Sequence, residues 1–284
     1  MNQLEDQPPF GERLWEAMAE RGPLCAGIDP HRGLLQAWGL PDSADGLERF
    51  ALSATEALAP HVAAIKPQSA FFERFGSRGI AVLERVIETA REAGALVVLD
   101  VKRGDIGSTG QAYAEAYLDP AAPMAVDAIT ATPYLGFGSL DPMIETAQAH
   151  GKGVFVLALT SNPEGREFQH ARTDAGATVA GTVLGRLAEL NSGASPMGSF
   201  GAVVGATISD TAEDLAIGGP LLVPGIGAQG GTADDVRRIF GDVLDLVLPS
   251  SSREILGAGP RGSDLVEAVG RSLDSFAELR RVSR

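Results

Sequence analysis

The chain has 284 residues, of which 44% are hydrophobic and 21% charged, with a formal net charge of −14 at pH 7. That length fits one large domain or two small ones, and α/β barrels commonly occupy about 200–250 residues or more. A field of that sign repels nucleic acid and anionic lipid, so neither is expected as a partner; an anionic small molecule binds only where local cations or backbone N–H groups outweigh it.

The N-terminal sequence MNQLEDQPPFGERL is acidic and lacks a basic-then-apolar signal pattern. No apolar stretch approaches the roughly 20 residues needed to cross a bilayer, and a cytoplasmic location is expected. A helix is expected over Glu12–Ala19, ahead of the first strand. Short apolar runs then recur: LCAGID from Leu24, HVAAIK from His61, ALVVLDVK from Ala95, AVDAITATP from Ala125, GVFVLALTS from Gly153, FGAVVGAT from Phe200, PLLVPGIG from Pro220 and DVLDLVLPSSS from Asp242. They are nearly continuous in apolar character, as parallel strands covered on both faces are. Between them lie helix patterns. Ile80, Leu83, Val86, Ile87 and Ala90 form an apolar stripe at spacings of three and four. Similar segments run through Leu47–Leu58, Gly110–Leu118, Leu140–Ala149, Ala175–Leu190, Thr232–Phe240 and Leu265–Leu279, with Ser139 and Thr232 as cap candidates. The Ser- and Gly-rich stretch Asn191–Ser199 reads as a surface loop.

Strands alternating with helices imply right-handed βαβ units. Eight of them point to an α/β fold, a single (β/α)8 TIM barrel with an extra N-terminal helix; a doubly wound open sheet is the structural alternative. No linker divides the chain, so residues 1–284 are expected to form one barrel domain. The single cysteine, Cys25, lies in an apolar run and reads as a small core residue. The four histidines, His31, His61, His150 and His170, have no metal-ligand spacing.

Barrel chemistry sits at the carboxyl ends of the strands, and polar residues gather there: Asp29, Lys66, Asp100, Lys102, Thr130, Thr132, Thr160, Ser161, Gln229 and Arg253. In Leu99-Asp100-Val101-Lys102-Arg103-Gly104-Asp105, alternation puts Asp100 and Lys102 on the side opposite Leu99 and Val101. Three extended residues span at most roughly 10 Å, so Asp105 can stand well away from its own barrel axis. Lys66 would stand beside strand three, and alternating carboxylates and ammoniums hold one another ionised. The bland reading is an ion-pair network closing the rim. The tripeptide Arg103-Gly104-Asp105 reads as coincidence.

The usual phosphate site of a barrel is formed by the loops after strands seven and eight. Here those loops are PGIGAQGG, Pro224–Gly231, and the run Ser250-Ser251-Ser252-Arg253. Small residues let N–H groups approach an anion, and Arg253 offers a planar fork of donors. The first loop also matches G-x-G-x-x-G. Its place in the seventh unit, with Asp242 and Asp245 opening or entering a strand rather than ending one, argues against a dinucleotide site.

Taken together, the chain resembles the orotidine 5′-phosphate decarboxylases in their longer bacterial form. The resemblance rests on AGIDP at Ala26–Pro30, IKPQSAFFE at Ile65–Glu73, LDVKRGDIGST at Leu99–Thr109, TPYLGFGS at Thr132–Ser139, LTSNPEG at Leu159–Gly165, PGIGAQGG, and SSREI at Ser251–Ile255. It implies decarboxylation of orotidine 5′-phosphate to UMP. By resemblance, Asp29 and Lys66 hold ribose hydroxyls and Asp100 faces the substrate carboxylate. Lys102 stabilises the carbanion at C6 and protonates it. Asp105 enters the neighbouring subunit's site with Ile106 and Thr109 beside it, which makes a homodimer. Ser161 reads the pyrimidine edge. Gln229 and Arg253 grip the phosphate, Pro224 and Ser252 line that end, and the strand-seven loop closes as a lid. No metal or organic cofactor is implied. Two alternatives stay open: a metal-dependent sugar-phosphate aldolase or decarboxylase of the same barrel group, and a catalytically silent nucleotide-binding barrel.

Overall fold

The computed structural model describes residues 7–208, 211–225 and 232–281. Eight parallel strands close into a barrel in sequence order: β1 (Cys25–Ile28), β2 (Ala64–Pro67), β3 (Leu96–Arg103), β4 (Ala128–Ala131), β5 (Gly153–Leu159), β6 (Phe200–Val204), β7 (Leu221–Pro224) and β8 (Val247–Ser251). The ring closes where Cys25 and Ala26 of β1 pair with Ser250 and Ser251 of β8. An open doubly wound sheet is thereby excluded.

The main helices are α1 (Phe10–Arg21), α2 (Ala44–Leu58), α3 (Gly76–Glu92), α4 (Gly107–Leu118), α5 (Asp141–Ala149), α6 (Val179–Leu190), α7 (Ala233–Phe240) and α8 (Gly262–Arg281). In α3 the buried side is Gly79, Val82, Leu83, Val86, Ile87 and Ala90, so the expected stripe faces the sheet, with Ile80 at its half-exposed margin. Between β6 and β7 no helix lies among the described residues. Helix α7 begins with a reciprocal cap: Thr232 Oγ1 accepts from Asp235 N at 3.1 Å and Thr232 N donates to Asp235 Oδ2 at 2.9 Å. Ser139 does not cap α5. It lies in a 3-10 turn, Phe137–Leu140, and its hydroxyl donates to Gly136 O at 2.7 Å.

Two apolar layers hold the barrel. The larger lies between strands and outer helices and contains Ile65, Leu99, Val101, Ile129, Val154 and Val156. The smaller fills the barrel interior with Cys25, Ala64, Val98, Ala128, Phe155, Leu222 and Leu248, and Phe10, Leu14 and Met18 of α1 belong to it. Helix α1 thus plugs the amino-terminal end of the barrel. Its apolar residues recur every four positions, which puts all three on one face, and each is fully buried. Burying a side chain of this size is worth about 1.5–3 kcal/mol. Phe10 meets Phe155 edge-on, with ring centroids 5.9 Å apart, and a Cβ on Gly153 would fall 2.3 Å from the Phe10 ring. Cys25 is buried in this layer, and burial pushes its thiol up to about 12 although Lys66 opposes the shift.

Two expectations are corrected. The run from Asp242 is not strand throughout, because Gly241–Leu246 forms a 3-10 turn before β8. The stretch Asn191–Ser199 is not all surface. Asn191 is buried, its amide donates to Phe200 O and Ile217 O and its carbonyl accepts from Phe200 N, and Met197 is buried with the interior layer.

Candidate active site

At the carboxyl end of the barrel lies a cavity of about 670 Å³, walled by Asp29, Lys66, Asp100, Lys102, Ser161, Pro224 and Arg253 among others. These residues come from the ends of β1, β2, β3, β5, β7 and β8, so the barrel itself brings together positions up to 224 residues apart in sequence. Phe71, Leu157, Val203 and Leu222 supply apolar wall. That combination of apolar lining and a few convergent polar groups is typical of small-molecule sites.

Asp100 is the centre of the polar side. Its Oδ2 lies 3.4 Å from Lys66 Nζ, and its Oδ1 lies 2.5 Å from Lys102 Nζ. Thr130 Oγ1 donates to Oδ1 at 2.8 Å. With its amide nitrogen turned inward, Gln68 donates to Oδ2 at 2.7 Å and to the Asp100 carbonyl at 2.9 Å. Burial by itself would raise the Asp100 carboxyl, but the two lysines and the donated hydrogen bonds outweigh it and hold the group below the usual carboxylate range. Burial likewise opposes the charge on Lys66, and Asp100 and Asp29 overcome it, so the ammonium is held above its ordinary value. The buried pair is therefore ionised across the neutral range.

Lys102 reaches this carboxylate by an irregular route. The pairing of β3 with β4 shifts register between Leu99 and Arg103. Within that bulge Lys102 adopts φ +44°, the one positive φ of a non-glycine residue among the described residues. Left-handed backbone at such a residue costs of order 1–3 kcal/mol and clusters at functional sites. Lys102 N donates to Thr130 Oγ1 at 3.0 Å. One threonine thus fixes both the backbone of Lys102 and the carboxylate of Asp100. The Lys102 side chain is 45% exposed, against 9% for Lys66. Both ammoniums line the cavity, that of Lys66 deep in its wall and that of Lys102 more open.

Asp105, Ile106 and Thr109 do not line this cavity. Asp105 Oδ1 accepts from Ile106 N at 2.8 Å, and Ile106 is 63% exposed. A Cβ on Gly104 would fall 2.3 Å from Thr132 O. The glycine in Arg103-Gly104-Asp105 is accounted for by that close approach of two backbones. At the ends of β1 and β8, Asp29 Oδ1, Ser251 Oγ and Ser252 Oγ are buried without a hydrogen-bond partner among the described residues. Such atoms are costly unless something completes their hydrogen bonds. Gln229 lies outside the described residues.

Of the wall residues, His31, Gln68 and Asn162 carry no site role in the sequence reading, whereas Thr160 is among its strand-end polar residues. His31 caps a short helix, Arg32–Ala37, through Nδ1, and its ring tilts against Phe71. Gln68 lay within a recognised motif but carries no charge to draw notice. Thr160 and Asn162 belong to a knot in which Gln169 accepts from Thr160 N at 2.9 Å and donates to its hydroxyl at 2.7 Å. Residues 162–175 are thereby folded back over β5, with a helical turn at Gly165–Gln169. Among the described residues no cluster of three or more His, Cys, Asp or Glu side chains is placed to hold a metal ion.

Comparison with known proteins agrees with this geometry. The profile of the orotidine 5′-phosphate decarboxylase / HUMPS family matches residues 22–267. An orotidine 5′-phosphate decarboxylase from Nocardioides sp. is 69% identical over 251 residues, covering 87% of this chain and 92% of the relative. Another, from Streptomyces coelicolor, is 58% identical and covers 96% and 97%. Among solved structures, a Streptomyces avermitilis chain provisionally named orotidine 5′-phosphate decarboxylase superposes with a TM-score of 0.95 at 56% identity, covering 100% of this chain and 98% of its own. The OMP decarboxylase of Leishmania donovani superposes at 0.75 with 31% identity, covering 96% and 99%. On this evidence of profile, sequence and superposition, the chain belongs to the orotidine 5′-phosphate decarboxylase / HUMPS family.

Proposed function

We propose that the chain decarboxylates orotidine 5′-phosphate to UMP and CO2, the last step of de novo UMP synthesis, with Lys102 as the group that meets the developing charge. The observation that carries this reading is an ammonium held at the cavity wall by a carboxylate, in a site whose far side ends in Arg253. Breaking the bond from C6 to the carboxylate leaves an electron pair on C6 that the pyrimidine ring does not easily delocalise. A fixed cation beside that atom stabilises it, and preorganised charge of this kind is commonly the largest catalytic contribution. The pair then takes a proton from the Lys102 ammonium, which regains one from water.

Asp100 orients Lys102 and stands against the departing carboxylate, while Asp29 and Lys66 hold the ribose hydroxyls. Ser161 reads the pyrimidine edge. Arg253 grips the phosphate with Gln229, and Pro224 and Ser252 line that end. Binding energy from the phosphate, remote from C6, can be used to close the site and lower the chemical barrier. No step of this route calls for a metal or organic cofactor.

Asp105, with Ile106 and Thr109, serves the site of a second copy in a homodimer. The exposure of Ile106 and the position of all three outside their own cavity support that assignment. The working location is the cytoplasm. The net charge of −14 speaks against nucleic acid as a partner, and among the described residues no helix is long and apolar enough to cross a membrane.

Following the loss of orotate-ring absorbance with the purified chain and orotidine 5′-phosphate tests the reading. Turnover to UMP that is unchanged by EDTA is expected. Binding of UMP without turnover would favour the silent barrel. Activity that EDTA abolishes and added metal restores would favour the aldolase-like alternative.

A further inference from the structure

The amino-terminal end of the barrel, opposite the cavity just described, holds a second polar cavity of about 330 Å³, walled by Arg13, Arg91, Asp127 and Lys152 together with Gln7 and Leu96. Asp127 and Lys152 immediately precede β4 and β5, and Arg13 comes from the plug helix α1. The two cavities are separated by the length of the strands, roughly 15–20 Å.

Charge in this cavity does not balance. Asp127 is buried and its oxygens are already used: Oδ1 by Arg13 at 2.5 Å and Oδ2 by Val97 N at 2.9 Å. Arg91 donates to Ala125 O at 2.6 Å. Lys152 is 7% exposed and has neither a hydrogen bond nor a direct ion pair for its ammonium among the described residues. Three cations therefore surround one carboxylate, which already accepts from Arg13 and from Val97 N and is the nearby opposite charge for Lys152. Buried Lys is rare unless paired, and a buried charge without a partner is among the costlier features a fold can retain. The ordinary reading of a residue at this end of a barrel is structural. A structural role would, however, be filled better by an apolar side chain of similar length.

We propose that this cavity is a binding site for a small dianionic oxyanion, inorganic phosphate or a compact phosphate monoester, with Lys152 as its buried contact and Arg13 and Arg91 as its flanks. Two excess positive charges match a dianion, and guanidinium pairs suit tetrahedral oxyanions. The volume falls at the small end of the range for ligand pockets. Such a site lets a phosphate compound act on the barrel from the end remote from the chemistry. It does not depend on the decarboxylase reading.

The test is calorimetric titration of inorganic phosphate into the full chain carrying Arg253→Ala, which takes the barrel-mouth grip out of the measurement. One saturable site per chain is expected, weakened at least tenfold by adding Lys152→Met and kept by Lys152→Arg. In phosphate-free buffer of matched ionic strength, Lys152→Met is expected to raise the unfolding midpoint, since it removes an unpaired buried charge, and to abolish the phosphate-dependent rise seen with Lys152 in place. Three results would overturn the proposal. One is the absence of saturable binding, or binding indifferent to Lys152→Met. Another is a lower midpoint for Lys152→Met, which would make Lys152 a structural partner of Asp127. The third is binding that emerges only when Glu5→Gln and Asp6→Asn are introduced, which would assign the cavity to the chain's own acidic residues just ahead of Gln7.

Discussion

Thr130 shows how much of the site depends on uncharged groups in the cavity wall. Its hydroxyl donates to Asp100 and accepts from the backbone of Lys102, so it sets the separation of the two charges and steadies a left-handed residue. Thr130→Val keeps the shape and removes both bonds. The expected outcome is a fall in kcat of about 10- to 100-fold with a smaller change in KM, and a stability loss of about 1–3 kcal/mol from the unsatisfied groups left behind. Thr130→Ser should restore most of the rate, which a purely steric role would not allow. Steady-state kinetics with denaturant unfolding checks all three. Side-chain alternation along β3 was enough to place Asp100 and Lys102 on one face from sequence. The bulge and the positive φ at Lys102 were not legible, because both come from how β3 registers against β4, a non-local pairing. Gln68 was passed over because a neutral amide acquires meaning only when its carboxylate partner is in view.

Among the elements, α1 has the clearest separable task. It closes the amino-terminal end of the barrel through Phe10, Leu14 and Met18 and stands a strand's length from the candidate site. Leu14→Ala should cost about 2–5 kcal/mol while leaving kcat within about twofold, read by thermal unfolding beside the activity assay. A large loss of kcat in protein that is still folded would mean that the plug is coupled to the chemistry. Element identity was readable because each apolar run is short, nearly continuous and followed by a turn, and because the helix stripes repeat at three and four. The ends were less readable. The apolar residues of Gly241–Leu246 look like strand but coil as 3-10, and Asn191 looks like loop although its amide bridges Phe200 and Ile217. For Asn191 the deciding partners, Phe200 and Ile217, lie outside the local window. Ser139 has a cap residue's chemistry but spends its hydroxyl on Gly136.

For the whole molecule, a barrel places chemistry at one end and leaves its two faces free to do different things. The proposed dimer makes a demand that a lone barrel does not: Asp105 of one chain would complete the site of another. Mixed dimers of Asp105→Ala and Lys102→Ala chains should therefore recover activity, approaching one intact site per heterodimer, although each parent is nearly inactive. Subunit exchange is confirmed by mass labelling, and no recovery in exchanged dimers would count against sharing. The role of Lys102 is probed most directly by measuring decarboxylation and UMP binding of Lys102→Ala side by side with the unaltered chain. The expected result is a rate lowered at least about 10⁴-fold, since both a fixed cation and a proton donor are lost, with UMP affinity within about tenfold. A rate that stays within tenfold of the unaltered chain would contradict the assignment of the chemistry to Lys102.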